Sequence, residues 1–213
     1  MAEHVVRFFL VRHGETAENT EMRYVGTHDE PLTEKGVLQA QQVAEALSQL
    51  TIRIVVSSPM RRARHTATRI HEACGVDLRL DSRLAEGSFG RWEGLGRDDV
   101  LKLGGQDAET LLRWESDSSV APPGGESIQQ IQQRVTRLVD DLIIEFPDCS
   151  IVLVSHVGPI KALIAAALGI PLEAARWFFL DPGTISVVDW GKHRVLRLFN
   201  SHSHLGWSSA RWM

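Results

Sequence analysis

Apolar residues along this chain follow two rhythms. Val5–Val11, Ile52–Val56 and Ile151–Val154 are short and nearly continuous runs. Runs of that kind suit strands buried on both faces of a sheet. Between them the spacing is helical. Val37, Ala40, Val43, Ala44, Leu47 and Leu50 predict a helix to about Leu50, with Thr33 as its N-cap. Ile128, Ile131, Val135, Leu138, Leu142, Ile143 and Phe146 form one stripe over Ser127–Phe146, and Ser127 with Gln130 reads as a capping box. Further helices are predicted from Pro59, where proline suits the first turn, and over Pro159–Leu168. Asp98–Asp117 reads as one helix or as two split near Gly104-Gly105. Leu78–Leu84 is weakly strand-like, Asn19–Glu30 and Ser118–Gly125 read as loops, and Gly87–Gly96 is irregular. Ile185 and Val187, then Val195, Leu196 and Leu198, flank Gly191-Lys192 as an antiparallel hairpin would.

Alternating strands and helices define an α/β class. The expected architecture is a three-layer α/β/α sandwich, with a mostly parallel central sheet and an antiparallel C-terminal strand or hairpin. At 213 residues and 43% hydrophobic composition the chain can bury a full core, and a single domain over 1–213 is expected.

Composition narrows the partners. The net charge of −4 carries no basic footprint, so no nucleic acid is expected. No apolar stretch reaches membrane-spanning length, and Glu3 and Arg7 break any signal-peptide pattern, so a cytoplasmic location without membrane contact is expected. Cys74 and Cys149 read as two buried thiols, not a disulfide framework. Neither a Walker loop nor a GxGxxG occurs. His202-x-His204 lacks a third ligand and reads as a solvated tail; no metal and no cofactor is expected. His65 and His71 read as surface residues. The six tryptophans, at 92, 114, 177, 190, 207 and 212, read mostly as core or cleft wall, with Trp114 nearest the Ser118–Gly125 loop.

If the three apolar runs are parallel strands, their carboxyl ends meet at one crevice. Arg12-His13, then Ser57-Ser58-Pro59 with Arg61 and Arg62, then Ser155-His156 would gather there. Two imidazoles and at least two guanidinium groups suit a phosphoryl group: guanidinium for its oxygens, imidazole to attack phosphorus. Gly14 fits a sharp turn off the first strand, where backbone would approach a ligand closely.

Arg12-His13-Gly14-Glu15-Thr16, with Asn19, resembles the signature of the histidine phosphatase superfamily, the group of phosphoglycerate mutase-like and α-ribazole phosphatase-type enzymes. Asp29–Gly36 with Gln39-Ala40, Ser57–Ala63 with Thr66-Ala67, Leu84-Ala85-Glu86 with Phe89–Gly94, Pro123–Ser127 and Ser155–Gly158 resemble its later segments in order. The resemblance covers Val5 to about Leu168. It implies His13 as nucleophile, Arg12 and Arg62 as clamps on the phosphoryl oxygens, and His156 as a second imidazole donating to one of them. Glu86 would be the general acid and base, shielded by Phe89 and Trp92; Glu93 is the decoy, and Arg61 and Arg64 are solvated. Asn19, Gly26 and Val157 would bind phosphate. Val25 departs from the family pattern, standing where many members carry a small hydroxyl residue. The implied reaction is hydrolysis of a small phosphorylated metabolite through phosphohistidine, without metal. Phosphoglycerate mutation is the alternative, and a non-catalytic phosphate-binding module a further one. Specificity is expected in Arg97–Gly125 and Met22–Glu30. A homodimer is left open as a partner.

Overall fold

The computed structural model describes residues 4–20 and 23–206. In chain order the elements are β1 (Val6–Arg12), α1 (Ala17–Thr20), α2 (Glu34–Leu47), β2 (Ile54–Ser57), α3 (Arg61–Cys74), β3 (Leu78–Leu80), α4 (Arg97–Leu103), α5 (Gly105–Trp114), α6 (Ile128–Glu145), β4 (Ser150–Ser155), α7 (Val157–Leu168), β5 (Ile185–Trp190) and β6 (Val195–Ser201). Short 3-10 turns occupy Ser82–Leu84, Gly90–Trp92 and Leu172–Trp177.

The strands form one sheet in the order β3-β2-β4-β1-β5-β6. The first four run parallel, and β5 and β6 close the other edge antiparallel. The unbroken apolar character of β1 has a direct cause, because both sheet faces are covered. Val6, Phe8 and Leu10 pack in a cluster with Val135, Leu138 and Leu142 of α6 and Ile160 and Leu163 of α7. Val11 belongs to the opposite cluster, with Val43 and Leu47 of α2 and Ala63, Ala67 and Ile70 of α3. This is the three-layer sandwich expected from the pattern. A third cluster of Trp92, Val100 and Leu111, joined by Tyr24, Phe89 and Trp114, is built largely from α4, α5 and the turn before them.

The helix starts follow the caps. Thr33 Oγ1 accepts the Gly36 N–H at 3.0 Å. Ser127 Oγ accepts the Gln130 N–H, and Gln130 Oε1 accepts the Ser127 N–H at 2.8 Å. Each such cap is worth about 1 kcal/mol.

Several boundaries differ from expectation. The helix α2 ends at Leu47, and Leu50 lies beyond it, exposed. Pro59 precedes the N-cap Met60 and so lies outside α3. Leu78–Leu84 splits into β3 and a 3-10 turn, because the Asp81 carboxylate accepts the Arg83 N–H and bends the chain. Asn19 belongs to the short helix α1. Cys74 and Cys149 are free but half-buried, and His65 and His71 are half-buried as well. Trp177 is exposed, neither core nor cleft wall. Trp207, Trp212 and Met22 lie outside the described residues. Among the described residues no helix is long and apolar enough to cross a membrane.

Candidate active site

The carboxyl ends of β1, β2 and β4 converge. The His13 N–H donates to Ser155 O at 3.1 Å, and the Ser58 N–H donates to Val154 O at 3.0 Å. From the β5 side, the Gly183 N–H is shared by the carbonyls of Arg12 and His13. These bonds bring the His13 and His156 rings to 4.9 Å between centroids. Both rings are buried.

The protonation of His13 follows from its neighbours. Its Nδ1 faces the Gly14 carbonyl at 2.7 Å and therefore carries the proton. Its Nε2 accepts from Arg62 Nε at 3.3 Å and therefore presents a lone pair. Burial, then the charges of Arg62 and Arg12, push the imidazole well below its ordinary pKa. His13 is a neutral ring with its nucleophilic nitrogen turned toward the arginines.

Gly14 answers to a different constraint from the one expected. A Cβ there would lie 2.3 Å from Gly36 O, so the glycine pair lets the turn after β1 press against the first turn of α2. Thr66 of α3 adds a tie by accepting the Gly14 N–H at 3.2 Å and donating to Arg62 O at 3.0 Å.

Arg62 is fully buried and held on every side. Its Nη1 donates to His28 O at 2.6 Å and its Nη2 to Gly26 O at 3.1 Å. Its Nε is shared between His13 Nε2 and His156 Nδ1, each at 3.3 Å. Arg12 is buried, with Nη1 donating to Leu180 O. Arg61 and Arg64 are exposed, as expected.

His156 is turned by Ser58, whose Oγ lies 2.8 Å from its Nε2. Burial first, then His13 and the two arginines, lower its pKa as well. A hydroxyl can accept or donate, so Ser58 supports either tautomer of the ring. The sequence offered Ser58 only as part of a motif; its contact arises from the register of β2 against β4.

A cavity of about 150 Å³ opens at this point. Arg12, His13, Asn19, Gly26, Arg62, Glu86 and Val157 all line it, with Arg23, Tyr24, Val25 and Phe89. His156 stands behind this wall, against Arg62 and His13. Glu86 Oε1 accepts the Gly87 N–H at 3.0 Å and the Gly158 N–H at 3.2 Å. A Cβ on Gly158 would lie 2.5 Å from that same oxygen, so only glycine at the start of α7 admits the carboxylate there. Of the two expected shields of Glu86, Phe89 is on the cavity wall, whereas Trp92 is not. Trp92 is buried in the third cluster, with its indole N–H donating to Asp107 at 2.8 Å.

Glu93 ties two loops together. It accepts from the Thr27 N–H and hydroxyl, the Phe89 N–H and the Ser88 hydroxyl. Burial alone would raise its pKa, but those donors together hold it low. Gly26 has φ +54°, and a Cβ there would lie 2.2 Å from Glu93 Oε1, which explains the residue twice over.

His202 and His204 do not form a solvated tail. His202 is buried, its Nε2 lying 2.9 Å from Asp181 Oδ2, and His204 Nε2 lies 2.8 Å from Gly183 O. Together they brace the turn whose Leu180 and Gly183 hold Arg12 and His13 from behind. No sequence signal marked this, because the contact is made only when β6 folds back on β5. Among the described residues no group of three or more His, Cys, Asp or Glu could hold a metal ion.

An α/β sheet with two neutral imidazoles and two buried guanidinium groups at the ends of its parallel strands defines a class of proteins that handle phosphoryl groups. The chain belongs to the histidine phosphatase superfamily (branch 1), whose family model matches residues 8–201. It is 35% identical over 201 residues to the adenosylcobalamin/α-ribazole phosphatase of Escherichia coli, covering 93% of this chain and 97% of that protein. It is 37% identical over 193 residues to a probable phosphoglycerate mutase, GpmB, of Salmonella choleraesuis, covering 90% and 88%. The structure of a mycobacterial glucosyl-3-phosphoglycerate phosphatase superposes with a TM-score of 0.82 at 32% identity, covering 92% of this chain and 99% of that one. The chain spans half the length of its mycobacterial sequence relatives, which are 36% identical over 185 residues.

Proposed function

We propose that the chain is a phosphomonoesterase that hydrolyses a small phosphorylated metabolite through phosphohistidine on His13. The observation that carries this reading is the His13 ring itself. Its Nδ1–H is fixed on Gly14 O at 2.7 Å, and its Nε2 lone pair faces the Arg62 guanidinium. A neutral imidazole in that orientation attacks phosphorus without first losing a proton. In the first step the Nε2–P bond forms and the ester P–O bond breaks, while Glu86 gives its proton to the departing oxygen. In the second, Glu86 takes a proton from water as the water oxygen attacks phosphorus, and His13 leaves as neutral imidazole. Arg12 and Arg62 hold the non-bridging oxygens, and Asn19 and the backbone at Gly26 and Val157 complete the cradle. His156 accepts from Arg62 Nε through Nδ1. Donation from it to a phosphoryl oxygen uses the other tautomer, with the Ser58 hydroxyl turned to donate.

Hydrolysis of p-nitrophenyl phosphate by the protein and by His13→Ala tests the reading. The wild type is expected to turn over with EDTA present and the variant to be nearly inactive. The phosphoenzyme is expected to survive alkali and to be lost in acid. Equal turnover by both proteins removes His13 from the reaction. Rapid conversion of 3-phosphoglycerate to 2-phosphoglycerate, with a trace of 2,3-bisphosphoglycerate and no phosphate release, would show a mutase instead.

A further inference from the structure

Beside the phosphoryl cavity lies a second chamber of about 210 Å³, and Glu86, Phe89 and Val157 belong to both. Its walls are mainly apolar: Phe89, Trp114, Ile128, Ile131, Leu172 and Ala175. A cavity of about 150 Å³ holds a benzene ring, so this one has room for a ring-sized body with a small substituent. A group leaving phosphorus past Glu86 would enter it.

Four of its charged residues besides Glu86 differ in how far they are committed. Glu126 is clamped by Arg134 through two bonds of 2.8 and 2.9 Å. Glu173 is exposed and accepts the Ser118 N–H. Arg176 is exposed at the rim. Lys161 is set inside. It lies on α7, three residues after Gly158 and four after Val157, hence on the helix face that meets Glu86. Helix side chains lean toward the N-terminus, which directs the Lys161 stem back to the mouth of the phosphoryl cavity. Its ammonium makes no hydrogen bond or ion pair among the described residues. Burial first, then the charge of Arg12, lower its pKa to about 8, with Glu86 opposing. A half-buried cation without a bonding partner, in an apolar wall, is costly unless something anionic arrives to meet it.

We infer that the chamber holds the alcohol half of the substrate and that Lys161 reads a carboxylate on it, so that the preferred substrates are phosphomonoesters of acidic, largely apolar alcohols or phenols. The inference rests on the phosphatase reading and narrows it. Lys161 is a specificity-determining residue here, and the chemistry at phosphorus stays with the first cavity.

The test compares two esters that differ only in charge, 4-carboxyphenyl phosphate and 4-carbamoylphenyl phosphate, by kcat/KM. The wild type at pH 7 is expected to favour the carboxylate by about tenfold, the low end for a charge-assisted hydrogen bond. Lys161→Met should bring the ratio near one, Lys161→Arg should keep part of it, and the wild-type preference should fade between pH 7 and 9 as the ammonium loses its proton. A ratio that Lys161→Met leaves unmoved overturns the inference. So does an equal loss on both esters, which would put Lys161 on the phosphoryl group. If the wild type hydrolyses neither ester and forms no phosphoenzyme, the phosphatase reading itself falls, and this one with it.

Discussion

The cavity around His13 and the chamber around Lys161 share Glu86, Phe89 and Val157, yet they are assembled in different ways. The first is a ring of polar groups hung on strand ends. Each is tied to backbone: His13 to Gly14 O, Arg62 to His28 O and Gly26 O, Arg12 to Leu180 O. The second is an apolar pocket between helices and turns, with one inward cation on α7. Fixed dipoles suit a charge distribution that is the same for every phosphate ester, since they need no rearrangement during reaction. Apolar walls discriminate by shape and by the few polar groups set in them. On the proposed phosphatase reading, the contrast separates the chemistry at phosphorus from the choice of the molecule carrying it.

Substitutions in the first cavity should therefore act on all substrates alike, and those at the boundary should act selectively. The largest effect is expected for His13→Ala, a loss of roughly 10⁴-fold or more in kcat whatever the ester, on the scale of removing a covalent nucleophile. Any residual phosphohistidine in that variant would break the assignment. Next is Arg62→Ala, expected to raise the barrier by about 3 kcal/mol, the size of one lost transition-state donor. If p-nitrophenyl phosphate and an alkyl phosphate suffer differently, Arg62 is doing more than holding oxygens. Gly158→Ala, which pushes against Glu86, should cost up to about a hundredfold, as displacement of a catalytic group by an ångström can. That loss should be greatest for esters with poor leaving groups, which most need the proton. A flat response across leaving groups would detach Glu86 from the acid role.

The buried imidazoles also make a smaller prediction, read from pH-dependent unfolding. His13 and His156 titrate well below their unfolded value of about 6.5. Below that value the unfolded chain binds protons that the native rings refuse, so stability falls as pH drops from about 6.5. Each ring contributes up to about 1.4 kcal/mol per pH unit over that window. His156→Gln should flatten the slope, and an unchanged slope in urea unfolding would show that His156 is charged in the native state. The smallest expected effect is that of Ser58→Ala, about 1 kcal/mol in kcat for one lost hydrogen bond to His156. No change there would mean that the ring needs no support from Ser58.

The same contrast explains how much the sequence disclosed. The strand ends were legible because β1, β2 and β4 are apolar on both faces and stop at Arg12, Ser57 and Ser155. The α2 and α6 starts were legible because Thr33 and Ser127 cap locally. Residues following those apolar runs account for Arg12, His13, Arg62 and His156, whereas Asn19, Gly26, Glu86 and Val157 come only with the family resemblance. The contacts that were missed are made across the fold: Ser58 under His156, Gly158 against Glu86, His202 on Asp181. Local periodicity carries none of these. Nearness in sequence puts Trp92 beside Glu86, but its indole N–H donates to Asp107 on α5 instead. Lys161 carried no signal at all, since a lysine at one position of an apolar helix reads as an ordinary solvated residue.

The order of strands has a consequence for how the chain reaches its working form. The segment bearing Arg12 and His13 precedes both of its neighbours in the sheet, Ser150–Ser155 and Ile185–Trp190, by more than a hundred residues. During synthesis that apolar strand must wait, unpaired, until those later segments emerge. Such distant pairing slows folding and leaves a sticky edge open to aggregation meanwhile. Shortening the chain ahead of Ile185 would strip one flank from that strand and so cost solubility on expression, although every motif residue from Arg12 to His156 would still be present.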